Sequence, residues 1–127
     1  MYILSIDQST QGTKAFLFDE TGEMVARADR PHRQIITKEG WVEHDLEEIL
    51  CNVYQVCREV VEKAGVSPAK VKAVGISNQR ETTAAWDRKT GEPACHAIVW
   101  QCARAEEIVR NLKEYGSKIQ KSTGLPL

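Results

Sequence analysis

Asp7-Gln8-Ser9-Thr10-Gln11-Gly12-Thr13-Lys14 gathers a carboxylate, several hydroxyls, a glycine and a cation within eight residues. Those parts suit the phosphates of a nucleotide. Successive amides of a tight turn form an anion-binding concavity, Thr10 and Thr13 can add hydroxyl donors, and Asp7 is a hard oxygen ligand for water-bridged magnesium. The segment lacks the Walker spacing, and the same residues also fit a polar hairpin whose side chains satisfy local backbone groups. Farther along, Arg80 and Glu81 follow a nearly all-apolar run. A guanidinium offers fixed donors and a carboxylate only accepts, so together they can satisfy the vicinal hydroxyls of a polyol. Trp100, after Ala97-Ile98-Val99, can shield the C–H side of such a ligand. Taken singly, Arg80 and Glu81 read more simply as a surface ion pair, and Trp100 as a core residue. Gln101 and Arg104 stand beside Trp100 and are open to the same cleft or to solvent. His32, His44 and His96 lack acid partners at recognisable spacing, and none is read as catalytic.

These residues need elements to hold them. Residues 2 to 6 and 14 to 18 are short apolar runs that suit two strands joined by a turn, with Asp7 where the first ends. Asp19-Glu20-Thr21-Gly22 is a turn signal, and Met24 to Ala28 alternates as a third strand would. Pro31 to Glu43 shows neither period and is expected to be a surface loop exposing Trp41. Asp45 with Glu48 three residues later forms a capping-box-like start. A helix then presents Leu46, Ile49, Leu50, Val53, Cys57, Val60 and Val61 on one face before Gly65 stops it. Val71 to Ser77 reads as a fourth strand and Thr82 to Trp86 as a fifth, with Trp86 packed on the sheet. A second helix is expected over Ala103 to Tyr115 with Ile108, Val109 and Leu112 inward, and a shorter one over Lys118 to Ser122. The order βββαββα is α/β. Its leading antiparallel strands exclude a doubly wound sheet and suit a ribonuclease H-like, actin-like ATPase half-domain, a mixed sheet with flanking helices.

The 127 residues carry 17 Lys and Arg against 18 Asp and Glu, a formal net charge of -1. The basic residues are scattered, so there is no stripe for a phosphate backbone, and nucleic acid is not expected as a partner. No apolar run approaches the roughly twenty residues of a membrane span, and Met1 leads straight into an apolar run without a basic, cleavable leader. A cytoplasmic location is the expectation. Length alone permits a sizeable core without staples. The four cysteines, Cys51, Cys57, Cys95 and Cys102, show no zinc spacing and read as reduced thiols, mostly buried.

Four segments together resemble the FGGY family of carbohydrate kinases, most closely its glycerol kinase branch. They are Asp7 to Lys14, Gly40-Trp41-Val42-Glu43-His44-Asp45, Gly75 to Thr83, and Ala97 to Cys102. The run Ile76-Ser77-Asn78-Gln79-Arg80-Glu81-Thr82-Thr83 is the most specific and separates that branch from xylulose-type relatives. The resemblance spans nearly the whole chain. It implies ATP bound with Mg2+ against the first loop, from Asp7 through Gln8, Ser9, Thr10, Gln11, Gly12 and Thr13 to Lys14, with Asp7 serving the metal. It implies a polyol, glycerol by preference, bound by Arg80, Glu81 and Trp100. The chain departs from the branch at Gln11 and Gly12, where hydroxyl residues are usual, and at Ala103, where an arginine is usual.

Members of that family are several times longer, with a second actin-like domain and a catalytic aspartate far downstream of residue 127. The expectation is therefore that residues 1–127 form the N-terminal part of the first kinase domain, hold no catalytic base, and are inactive without the remainder of the kinase chain. An oligomer is compatible with this reading. The alternative is a non-catalytic polyol-sensing or interaction domain with the same fold. A free-standing actin-like ATPase fits the first loop but leaves Arg80, Glu81 and Trp100 without a role.

Overall fold

A computed structural model describes residues 1–127. Three strands open the chain: β1 (Tyr2–Ser9), β2 (Gly12–Phe18) and β3 (Met24–Pro31), each longer than the apolar runs suggested. They are antiparallel neighbours, and β6 (Val71–Asn78) adds parallel to β1, giving the order β3-β2-β1-β6. The pairing register sets Asp7 between Lys14 on β2 and Ser77 on β6, and Gln8 beside Asn78. The two ends that carry the first loop and the Arg80 segment therefore leave the sheet side by side.

The core lies between this sheet and α1 (Leu46–Lys63). Alternation on β1 and β2 sends Leu4, Ile6, Ala15 and Leu17 to one face, where they meet Ala28, Val56 and Val60. Val56 is fully buried although it lay outside the helical stripe read from the sequence, while Leu50, assigned to that stripe, is exposed. Asp45 caps the helix by accepting from the amides of Glu47 and Glu48. The expected capping box is incomplete, because the Glu48 carboxylate turns to Arg33, accepting from its backbone amide at 3.1 Å and its Nε at 3.3 Å. Gly65 follows the helix with a φ of 63°, the left-handed conformation glycine tolerates.

Several expectations are corrected. The expected loop from Pro31 to Glu43 holds β4 (Ile35–Ile36), and β5 (Val42–His44) overlaps its end; with β7 (Ala97–Ile98) these make a small second sheet, β4-β5-β7. Thr82 to Trp86 is not a strand. It makes single bridges, Thr83 with Ile98 and Trp86 with Pro93, because the Asp87 turn folds it onto itself. Trp86 is 63% exposed rather than packed on the sheet. The expected second helix breaks into a 3-10 turn at Ala103–Ala105, α2 (Glu106–Asn111) and a second 3-10 turn at Lys113–Tyr115, followed by α3 (Gly116–Thr123). Ile108, Val109 and Leu112 stay exposed, since no element lies over them. Cys51 and Cys95 are exposed, Cys57 and Cys102 half-buried, and all four are free thiols. Only 13 of 127 residues are buried, a smaller core than the length allows.

Candidate functional site

The first loop is shaped by its own hydrogen bonds. The Ser9 hydroxyl donates to the Gly12 carbonyl at 2.9 Å, closing the turn between β1 and β2. Gly12 has no room for a side chain, since a Cβ there would lie 2.6 Å from the Arg30 carbonyl oxygen. Asp7 sits at the half-exposed end of β1 with the Lys14 Nζ at 3.5 Å from its carboxylate.

Asp7, Gln8, Ser9 and Thr10 line one wall of a cavity of about 480 Å³. Ser77, Asn78, Gln79, Arg80 and Glu81 line another, and Trp100 contributes the aromatic face. The structure thus brings together seven of the residues singled out from the sequence. Gln11, Gly12, Thr13 and Lys14 do not join them; they line a separate depression of about 330 Å³ with Asp29, Arg30 and Pro31. Thr13 is fully buried and its hydroxyl has no partner within the protein.

Arg80 and Glu81 do not pair with each other or with any other group through their side chains. They are free to face the cavity, which removes the ion-pair reading. Glu81 adopts a φ of 52°, left-handed and uncommon for a residue with a Cβ. Trp100 is 56% exposed, not a core residue, and its indole Nε1 donates to the Thr10 hydroxyl at 3.0 Å. Buried Ala97 and Val99, on either side of Ile98, anchor the segment that presents it. The indole thereby touches the first loop as well as the cavity.

A second layer escaped the sequence reading. The His32 Nε2 donates to the Thr10 carbonyl at 2.9 Å, and the His32 ring meets the His44 ring edge-on at 4.6 Å. His44 is fully buried, and burial is the main cause pushing its imidazole below its ordinary pKa, with His32 acting in the same direction and Glu48 against it. The Gln79 Nε2 donates to His44 Nδ1 at 3.3 Å. The spacing of His32 and His44 in sequence gave no sign of this meeting. Glu43 pairs with Arg104 and, at 3.1 Å, with His96 Nδ1, so His96 does have an acid partner. Arg104 also lies over the Trp41 ring at 4.4 Å. Hydrogen bonds from Arg104 first and His96 second hold Glu43 below the usual carboxylate range. Arg104 is thus engaged beside the cleft rather than in it, and Gln101 turns to Gln34 at 3.5 Å.

No group of three or more His, Cys, Asp or Glu side chains is gathered to hold a metal by itself. The donor set does suit one kind of ion. Magnesium is commonly held by one or two carboxylates, with waters and substrate phosphates completing the octahedron, and Asp7 places one carboxylate on this cavity.

Comparison with known proteins agrees with this arrangement. The description "FGGY family of carbohydrate kinases, N-terminal domain" matches residues 2–127. Glycerol kinase 1 of Thermotoga maritima is 49% identical over 127 residues, which are 98% of this chain and 26% of that protein. The crystal structure of Plasmodium falciparum glycerol kinase with ADP superposes with a TM-score of 0.83 at 42% identity, covering 98% of this chain and 26% of the other. Gluconate kinase from Lactobacillus acidophilus superposes at 0.86 with 28% identity, over 98% of this chain and 25% of the other. The chain spans about a quarter of the length of the curated relatives it matches. Its mixed sheet, with three leading antiparallel strands and a helix packed on one face, is the actin-like half-domain expected from the element order. The chain belongs to the FGGY family of carbohydrate kinases.

Proposed function

We propose that these residues form one wall of the catalytic cleft of an ATP-dependent polyol kinase, with glycerol as the preferred substrate. The observation that carries this reading is the convergence of Arg80, Glu81 and Trp100 on the cavity lined by Asp7 to Thr10. Arg80 donates to, and Glu81 accepts from, adjacent hydroxyls of the polyol, while the Trp100 face covers its carbon chain. Thr10 offers its hydroxyl, and the turn its amides, to the phosphates, while Ser9 holds the turn closed and Asp7 would hold magnesium through water. The metal, when bound, draws charge from the phosphates and orients them. In the transfer, a bond forms between the primary hydroxyl oxygen and the γ-phosphorus. The bond from that phosphorus to the β,γ-bridging oxygen breaks, and ADP leaves. The hydroxyl proton passes to a base supplied by polypeptide outside these 127 residues, so the complete kinase is the active unit. Residues 1–127 are then the N-terminal part of its first domain, and a cytoplasmic setting follows from the use of ATP.

In the complete kinase, Arg80→Ala is expected to raise the glycerol KM by about tenfold or more, the scale of a lost charged hydrogen bond, with the ATP KM little changed. Asp7→Ala is expected to lower turnover and to shift its dependence to higher magnesium concentration. A coupled assay of ADP release, run over glycerol, ATP and magnesium series, reads both. An unchanged glycerol response in Arg80→Ala would remove Arg80 from the site.

A further inference from the structure

The turn that carries Arg80 and Glu81 is held by a residue immediately before it. Gln79 is tied in three directions. Its backbone amide donates to the Gln8 carbonyl at 2.7 Å, its Oε1 accepts from the Thr82 hydroxyl at 3.3 Å, and its Nε2 donates to His44 Nδ1 at 3.3 Å. The bond to Thr82 spans Arg80 and Glu81 from one side to the other. Glu81 sits in that span in a left-handed conformation that a residue with a Cβ adopts only when its surroundings impose it.

His44 in turn rests edge-on against His32, whose Nε2 donates to the Thr10 carbonyl. Thr10 accepts from the Trp100 indole through its hydroxyl. The contacts form an open circuit along the cavity: Trp100, Thr10, His32, His44, Gln79 and the Arg80-Glu81 turn. Both imidazoles are buried and each uses one nitrogen in the circuit, while His32 Nδ1 and His44 Nε2 have no partner in the protein. Buried polar atoms without partners cost stability, so neither ring is placed here for packing alone; a leucine of similar size would fill the space at lower cost.

We propose that Gln79, oriented by the buried His44–His32 pair, is a positioning residue that fixes the Arg80-Glu81 turn for polyol recognition. Gln79 lines the cavity, but its side-chain amide is engaged by His44 and Thr82. It acts by restricting where the guanidinium and carboxylate can point, which lowers the ordering cost of binding. This rests on the reading of the cavity as a polyol site. For that reason its test includes a readout that does not depend on activity.

The experiment uses the complete kinase carrying Gln79→Leu, His44→Leu, both together, and His44→Asn. Asparagine keeps an acceptor near the position of the imidazole Nδ1 and so retains the bond from Gln79. Gln79→Leu and His44→Leu are each expected to raise the glycerol KM about five- to tenfold, the scale of one lost hydrogen bond, and to leave the ATP KM within about twofold. The double variant is expected to match the worse single one, because both break the same link, and His44→Asn is expected to recover most of the loss. In parallel, limited trypsin digestion should cut after Arg80 several times faster in the leucine variants and at the original rate in His44→Asn. A glycerol KM unchanged in Gln79→Leu, additive effects in the double variant, or unaltered cleavage after Arg80 would each overturn the proposal. Should the unaltered kinase turn over no polyol, the functional reading falls by itself, and cleavage after Arg80 still decides whether Gln79 holds the turn.

Discussion

At the scale of single residues, the groups that face the cavity are exposed and the groups that orient them are buried, and the two sets respond to different perturbations. His44 shows this through pH. Its imidazole is pushed below the ordinary value of 6.5 by burial and by His32, with Glu48 opposing. The unfolded chain therefore takes up a proton as pH falls through about 6.5 while the folded chain does not, so stability declines on acidification until the folded imidazole itself protonates. A urea midpoint lower at pH 5.5 than at 7.5 is expected, and His44→Asn should lose that part of the slope. An equal slope in the variant would assign it to other groups. Protonated His44 cannot accept from Gln79, so protonation in the folded state breaks that bond. Arg80, Glu81 and Trp100 were legible through the family resemblance, since singly they read as an ion pair and a core residue, and the cavity brings them together. His32 and His44 were not, because the fold brings their rings together across a strand and a loop with no local signature. The burial of Thr13 was equally hidden, since its residue type suits a ligand and only its place on β2 turns it inward.

Elements differ in how much of their position local sequence decides. Strands β1 to β3 and α1 follow from alternation and helical spacing, because both faces of the pattern are realised in one sheet-helix contact. The segments from 81 to 95 and from 103 to 127 were less legible. Their apolar residues, such as Trp86 and Ile108, keep a periodic pattern but meet no partner within the chain, so the pattern does not become burial. The short β4, β5 and β7 were invisible because two- and three-residue strands carry no period, and only their mutual pairing defines them. A stability contrast tests this division. Leu17 is fully buried on β2, so Leu17→Ala is expected to cost about 2–5 kcal/mol. Asp45→Ala removes a helix cap and is expected to cost about 1 kcal/mol. Ile108→Ala, at an exposed position, should stay within about 0.5 kcal/mol. Chemical denaturation of the three variants in the 127-residue chain reads all of these. A large loss in Ile108→Ala would mean that α2 packs on the core after all.

For the whole molecule the decisive quantity is surface. The chain exposes 9221 Å², whereas a compact monomer of this size exposes roughly 6,800 Å². Exposed large apolar side chains contribute to the excess. Val74 and Ile76 on β6 are paired in register with Leu4 and Ile6, so they point to the same side of the sheet as the core, yet they are 56% and 71% exposed because α1 lies over β2 and β3 and does not reach them. An edge strand with an uncovered apolar side is an invitation to association. The relatives that this chain matches are about four times longer, and under the proposed function the further polypeptide covers this edge and closes the cleft from the other side. The free 127 residues should then bind an apolar dye such as ANS and release no ADP from ATP with glycerol present. Polar replacement of the uncovered pair, Val74→Thr with Ile76→Thr, should reduce dye binding and self-association in the short chain. The same pair of changes should destabilise the complete kinase, because it places unpartnered hydroxyls in what becomes its interior. That opposite sign is the useful outcome: if the two replacements leave the complete kinase as stable as before, the apolar side of β6 stays in solvent there too. The second lobe would then have to dock elsewhere. Glycerol-dependent ADP release from the short chain would show that one wall of the cleft already contains its own base.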